Sequence, residues 1–354
     1  MVLCERAAHP RFAHLTELKL GANMKLSLTR SGTNARLAAL LIGVCAALVG
    51  ASAVAQDYPA REIRAVCSFA AGSGGDILVR YYSDKLSKLA GKPVIVENKA
   101  GAQGVIGTEF AARSKPDGYT ILITPASSTL AAAPYLFKKL PYDPIKDFTA
   151  VAPIARLNFV FVVDAKSPIK TMADLVAELK KKPDHGTYGI NNNTGQVAAE
   201  LFKEAAQLKS LQVPYKTTAQ GVTDLIGGQV DYLVGDATFF SGQARGGRVR
   251  IIAVTGPTRS GALPEVPTMA ESGFAGYDLT AWWGVVVPTG TPKTIVDRLA
   301  AWMSQINATE ETRQFLHNVA TDVLIGTPEQ MATMLKQDLE RWGRYAKVAK
   351  IEPQ

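Results

Sequence analysis

Cysteine and histidine are scarce in this chain of 354 residues, which holds three of the first and four of the second. Beyond residue 55 only Cys67, His185 and His317 remain. One cysteine excludes an internal disulfide there, and a lone apolar-flanked Cys reads as core. Neither histidine has a second His or Cys at ligand spacing, so no metal site is expected. G-x-S-x-G is missing. Gly72–Ile77 fails G-x-G-x-x-G because Ile77 is not glycine, and no Walker lysine follows. Ser167-Pro168-Ile169-Lys170 matches S-x-x-K, but without S-D-N or K-T-G it reads as chance. Lys/Arg runs with interleaved aromatics are absent too, which argues against nucleic acid as a partner. After Val54 no apolar run is long enough to span a membrane.

The one long apolar run comes first. Lys25, Arg30 and Arg36 form a basic region, Leu37–Val54 is apolar and small, and Ala53-Val54-Ala55 is an A-x-A site. This reads as a secretory signal peptide cleaved near Ala55, with an uncleaved anchor as the alternative. A start at Met24 gives the more usual leader length. The expected product is exported, to the periplasm. Charge follows: 39 Lys and Arg against 31 Asp and Glu give +8, and residues 1–55 hold six of the basic and two of the acidic residues. That leaves 33 against 29, or +4, so the basic balance is not a binding signal.

The remaining chain is organised around Ser68–Arg80, SFAAGSGGDILVR. Ile63–Phe69 reads as a buried strand, Ala70–Gly75 as a small-residue turn, and Asp76–Leu89 as a helix with Ile77, Leu78, Tyr81, Tyr82 and Leu86 on one stripe. Strand, glycine-rich turn and helix N-terminus together suit an anion. With no Lys or Arg in the turn, binding there rests on backbone N–H groups and the Ser73 hydroxyl. Packing alone also explains such a turn. Asp76 is open to two readings, acceptor for a ligand hydroxyl or amine, or cap of its helix.

The pattern repeats along the chain. Val94–Asn98 and Tyr119–Thr124 are strands, with a second glycine-rich turn, Ala100–Gly107, before a helix through Ala112. Alternation of this kind predicts an α/β fold with parallel sheets, whose ligands bind at the carboxyl ends of the strands. Ser127, Ser128 and Thr129 follow the third strand. Phe159–Val163, Thr187–Ile190, Leu211–Pro214, Val230–Val234 and Arg250–Val254 form a second strand set. In it Asn191–Gln196 repeats the loop before a helix, and Asn side chains offer donors and acceptors alike. Asp236 ends a strand at the expected ligand edge, either to bind a ligand donor or to turn the chain. Leu279–Val287, with Trp282 and Trp283, is read as a crossing back to the first domain, its tryptophans as core or hinge packing with cleft lining as the alternative. Thr291-Pro292 and Thr327-Pro328 each predict a cap with Pro at N1. The expected division is residues 1–55 as extension and leader, 56–156 with 281–354 as lobe 1, and 157–280 as lobe 2, with the ligand cleft between the lobes.

Nine stretches carry a resemblance: YPAREIRAVCSFAAGSGGD, VIVENKAGAQGVIGTEFAA, KPDGYTILI, KKLPYDPIKDF, VPYK, DLIGGQVDY, IIAVTG, LPEVPTMAESG and GTPEQ. They resemble the periplasmic substrate-binding receptors of tripartite tricarboxylate transporters, the Bug receptors, over Tyr58 to about Ile351. The resemblance implies a two-lobed Venus-flytrap protein, each lobe a mainly parallel sheet flanked by helices. It implies no enzymatic activity, no cofactor and no metal. Such a receptor, expected as a monomer, closes around a small carboxylate and presents it to membrane permease subunits. Carried over residue by residue, the carboxylate grip falls on Phe69, Ala70, Ala71, Gly72, Ser73, Gly74 and Asp76, on Asn191, Asn192, Asn193, Thr194 and Gln196, and on Ser127, Ser128 and Thr129. Asp236 falls at a cleft-facing position. Two departures stand out: Ser68 replaces a common proline, and the second loop is shorter and Asn-rich, with Gln196 where a histidine is frequent. Two rival functions are a ligand-loaded partner of a membrane signalling protein and an exported hydrolase of carboxylate esters.

Overall fold

The computed structural model describes residues 58–353. The expected leader, its cleavage site near Ala55 and the extension before Met24 lie outside the described residues.

Strand β1 (Ile63–Cys67) leads through the glycine turn into α1 (Gly74–Ala90), which closes at Gly91. β2 (Val94–Asn98), a 3-10 turn at Ala102–Gly104, α2 (Val105–Ala112) and β3 (Thr120–Thr124) follow. A wide helical turn, Ser127–Ala132, then runs into the short α3 (Ala133–Leu136). β4 (Phe148–Asp164) is 17 residues long. Next come α4 (Met172–Lys180), β5 (Thr187–Ile190), α5 (Asn193–Ala206), β6 (Leu211–Pro214), α6 (Thr218–Ile226), β7 (Tyr232–Asp236), α7 (Ala237–Arg245) and β8 (Val249–Val254). β9 (Thr280–Pro288), α8 (Lys293–Ala308), α9 (Glu310–Asn318), β10 (Thr321–Val323) and α10 (Pro328–Val348) complete the chain.

The strands order as β2-β1-β3-β9-β4-β7-β5-β6, with β10 and β8 also paired to β4. β1 is parallel to β2 and β3, and β5 is parallel to β6 and β7, so each half has the expected parallel core. The crossing strands are antiparallel to these. β4 pairs through Phe148–Asn158 with β9, and through Phe159–Asp164 with β7 and β8. The fold is therefore α/β and two-lobed, with one strand shared by both halves.

Only Phe159–Val163 of β4 is expected from the sequence; the strand begins eleven residues earlier. Pro153 disguises that stretch, since proline has no N–H for a ladder. The register slips between Pro153 and Ala155, as is usual where a sheet accommodates proline. α7 is likewise absent from the sequence reading. Thr291 corrects another expectation: its hydroxyl donates to Pro288 O at 2.7 Å, and Pro292 precedes α8 without a side-chain cap. Thr327 does cap α10, with Gln330 completing the box.

Burial follows the strand period of two. Along β9, Trp282 faces α10 and the next residue, Trp283, faces the other way. The Trp282 indole N–H donates to Asp338 of α10 at 3.0 Å, and Arg341 pairs with the same carboxylate at 3.2 Å. In the second half Phe161 of β4 meets Phe202 at 5.2 Å and Tyr232 at 6.2 Å between ring centres. On the first, the buried Tyr82 hydroxyl donates to Asn307 at 2.7 Å, tying α1 to α8.

Burial pushes the Asp338 carboxyl up to about 6, against the pull of Arg341 and the Trp282 indole. A carboxyl with a raised folded-state pKa binds its proton more tightly when folded. Its protonation therefore adds stability as pH falls through 6 toward the unfolded value of 3.8. Between pH 7.5 and pH 5 this group should add about 1 kcal/mol to the unfolding free energy. Urea titrations across that range should show the rise in the native protein and lose that increment in Asp338→Asn; an equal slope in both would refute it.

Candidate functional site

The carboxyl ends of β1, β3, β5 and β7 meet at one cleft of about 660 Å³. Leu157 and Phe159 of β4, and Ala281 and Trp283 of β9, line it from the shared strands. Phe69, Gly75, Gln103, Ser128 and Leu136 come from the first half; Ile190–Thr194, Gln196, Gln212, Tyr215 and Asp236 come from the second.

The first loop is built by its own hydrogen bonds. Gly72 sits at φ 80°, where a side chain is strained. Ser73 caps α1, its hydroxyl accepting the Asp76 N–H at 3.2 Å. Asp76 is buried beneath the loop. Its carboxylate accepts the Gly72 N–H at 2.8 Å, Arg80 Nε at 2.9 Å and Asn98 Nδ2 at 2.7 Å. Arg80 above all, with Asn98 and Gly72, holds the carboxyl down to about 2 although burial opposes this. Asp76 is not the cap of its helix, since Ser73 is; at the third helical position it organises the loop, and it is not among the residues lining the cleft. Gly75 admits the aromatic wall, because a Cβ there would lie 2.8 Å from the Phe69 ring and 3.2 Å from Trp283. Those two rings stand 5.7 Å apart.

The second loop is partly helix, since α5 already starts at Asn193. Asn192 caps it, accepting the Gly195 N–H at 2.8 Å. Asn191 donates to Thr218 at 2.8 Å and Gln196 to Ala349 O at 3.4 Å. Asn193 reaches across to Gln103 at 3.3 Å, so the two walls already touch.

The remaining candidates divide. Ser128 is half-buried and lines the cleft. Ser127 is buried and accepts the Trp282 backbone N–H at 3.2 Å, while Thr129 bonds Thr124 at 2.9 Å; both serve the frame. Ala70, Ala71, Gly72 and Gly74 lie exposed on the loop crest, outside the lining. Asp236 is half-buried at the end of β7 and caps α7, accepting the Thr238 N–H at 2.7 Å. Burial pushes its carboxyl above the usual range, opposed by the Thr238 bonds. Trp283, read as core or hinge packing, lines the cleft; Trp282 does pack behind it. Gln103, Gln212 and Tyr215 were missed. For Gln103 a signal existed, the glycine-rich turn that holds it at φ 52°. The other two sit at a strand end of ordinary composition.

Among the described residues no lysine, arginine or histidine lines the cleft. The N-termini of α1 and α5, 17 and 14 residues long, bring positive dipole ends to it. His185 lies at an exposed turn, where Nδ1 accepts the Lys209 N–H at 3.0 Å, and His317 sits on α9. Among the described residues no group of three or more His, Cys, Asp and Glu could hold a metal ion. Nor is any described helix long and apolar enough to cross a membrane. A larger groove of about 910 Å³ runs beside β2 and α2, away from these strand ends. Its Arg64, Lys99 and Arg113 are already paired with Glu97 and Glu109.

A family model described as the tripartite tricarboxylate transporter family receptor matches residues 78–351. The chain belongs to this family. Its members are solute-binding receptors of the periplasmic binding protein kind, with the Bug proteins among them. A Pseudomonas sp. protein encoded between tcbD and tcbE is 33% identical over 310 residues, covering 86% of this chain and 91% of that one. A solved R. palustris protein with adipate superposes with a TM-score of 0.73 at 30% identity, covering 84% of this chain and all of that one. The periplasmic binding protein BugD gives 0.70 at 32%, over 84% of this chain and all of its own.

Asp76 and Asp236 should respond differently to substitution. Asp76→Ala strands Arg80, Asn98 and the Gly72 N–H, and should cost about 3 kcal/mol in urea unfolding. Asp236→Asn keeps a good N-cap residue and should change stability by no more than about 0.5 kcal/mol. Comparable losses in both would show that Asp76 does not organise the loop.

Proposed function

We propose that this chain is an extracytoplasmic receptor that captures a small carboxylate between two lobes for uptake by a tripartite tricarboxylate transporter. The observation that carries this reading is the cleft itself. Two long helices present their N-termini to a space with aromatic walls, Asn, Gln and Ser side chains, and no cation. Unpaired N–H groups at helix starts suit carboxylate oxygens. The R. palustris relative solved with adipate supports the ligand class.

In this reading the carboxylate lies between the turn before α1 and the start of α5. Phe69, Ser128, Asn191–Thr194, Gln196 and Asp236 face the ligand, joined by Gln103, Tyr215 and Trp283. Ser73, Asp76, Ser127 and Thr129 shape the walls, and the crest Ala70–Gly72 with Gly74 meets the ligand as the lobes close. Lobe 1 comprises 56–156 with 281–354, and lobe 2 comprises 157–280. The change of partner along β4 between Asn158 and Phe159 supports that division. Closure follows ligand contacts made only in the shut state. The protein is exported through its leader, acts as a monomer, binds without turning its ligand over, and hands it to membrane permease subunits.

A thermal-shift screen of the secreted protein against carboxylates, after one cycle of refolding to remove carried ligand, tests this. A ligand at 100 times its Kd adds about 2.7 kcal/mol, and at ~2–4 °C per kcal/mol the midpoint should rise by roughly 5–10 °C. A screen in which no carboxylate raises it would refute the reading.

A further inference from the structure

Among the described residues Asp236 is the sole charged one in the cleft lining, at the end of β7 opposite Phe159. Resting on the receptor reading above, we infer that the ligand is a monocarboxylate whose far end carries an N–H or O–H donor to Asp236. Di- and tricarboxylates are then poor ligands for this member of the family.

Three helix N-termini reach the cleft, those of α1, α5 and α7. Each is capped by one side chain, Ser73 on α1, Asn192 on α5 and Asp236 on α7, the last accepting Thr238 N–H at 2.7 Å. Only the third cap brings a carboxylate. An anionic group placed there would meet a carboxylate in a partly dry site with no cation to separate the two. The nearest fixed cation to the first loop, Arg80, is spent on Asp76 at 2.9 Å and lies outside the lining. So the α1 and α5 starts suit an anion and Asp236 seeks a donor. Phe69, Trp283, Leu157 and Phe159 of the same lining suit an apolar or aromatic body. A donor-bearing monocarboxylate satisfies all three zones. A dicarboxylate leaves one charge facing Asp236.

The test uses two matched series: ε-aminocaproate, ε-hydroxycaproate, caproate and adipate; and p-aminobenzoate, p-hydroxybenzoate, benzoate and terephthalate. Each is titrated calorimetrically into the native protein and Asp236→Asn, whose Asn retains the cap; equal melting midpoints confirm folding. The expected result is that, in at least one series, a donor-bearing member binds at least about tenfold more tightly than both its dicarboxylate and its unsubstituted acid. In Asp236→Asn that gap should shrink to about threefold or less. A dicarboxylate or a plain acid binding as tightly as the donor-bearing member, or a gap that survives Asp236→Asn, overturns the inference and leaves the receptor reading standing. Where neither series binds, the wider carboxylate screen decides. A best ligand with two carboxylates or without a donor overturns the inference alone, and no ligand at all overturns both.

Discussion

The antiparallel pairing of β4 with β9 is the constraint on which the molecule depends. β4 changes partner at Asn158–Phe159 without interruption, so one strand belongs to both sheet halves. β9 returns beside it, and alternate residues of the pair look to opposite sides. Leu157, Phe159, Ala281 and Trp283 floor the cleft, while Trp282 turns to Asp338 on the rear. The cleft floor and the rear network are thus two faces of the same two strands. Their geometry follows from a side-chain period of two, not from any loop.

Given that floor, the parallel strands can only end around it. β1, β3, β5 and β7 all point their carboxyl ends at the same space, and the segments that follow supply the walls. Local hydrogen bonds then decide which residues face inward. Asp76 is drawn under its loop by Arg80 and Asn98, so the loop offers backbone and Phe69 instead of a charge. Ser127 and Thr129 are taken by the frame, which leaves Ser128 alone of the three in the lining.

Much of this was legible in the sequence. Val94–Asn98, Thr187–Ile190 and Leu211–Pro214 are strands to the residue, because each is a short β-rich run bounded by turn residues. The Thr327 cap is read from local chemistry and present in the fold. Elements whose stability comes from elsewhere were not readable. The first part of β4 contains Pro153, Arg156 and Asn158, and only its neighbours β9 and β10 make it a strand. α7 begins directly on Asp236, and Gly242 interrupts its period. In the site, the loop positions came from strand–turn–helix order, but which side chains line the cleft did not. Gln212 and Tyr215 come from the end of β6, and nothing local marks them as neighbours of Trp283.

The proposed binding of a carboxylate without a cation has a physical consequence for selectivity. A lysine or arginine would attract any carboxylate, and would hold it by charge before shape was tested. Helix-end N–H groups are fixed in direction and short in range, so they reward a carboxylate only in one orientation. In the proposed reading the rest of the ligand runs along the aromatic wall to Asp236. That carboxylate is half-buried, so a donor from the ligand would replace the water it loses, and an unmatched occupant would not. Under the proposed reading, attraction to a good ligand and rejection of a poor one would come from the same side chain, Asp236.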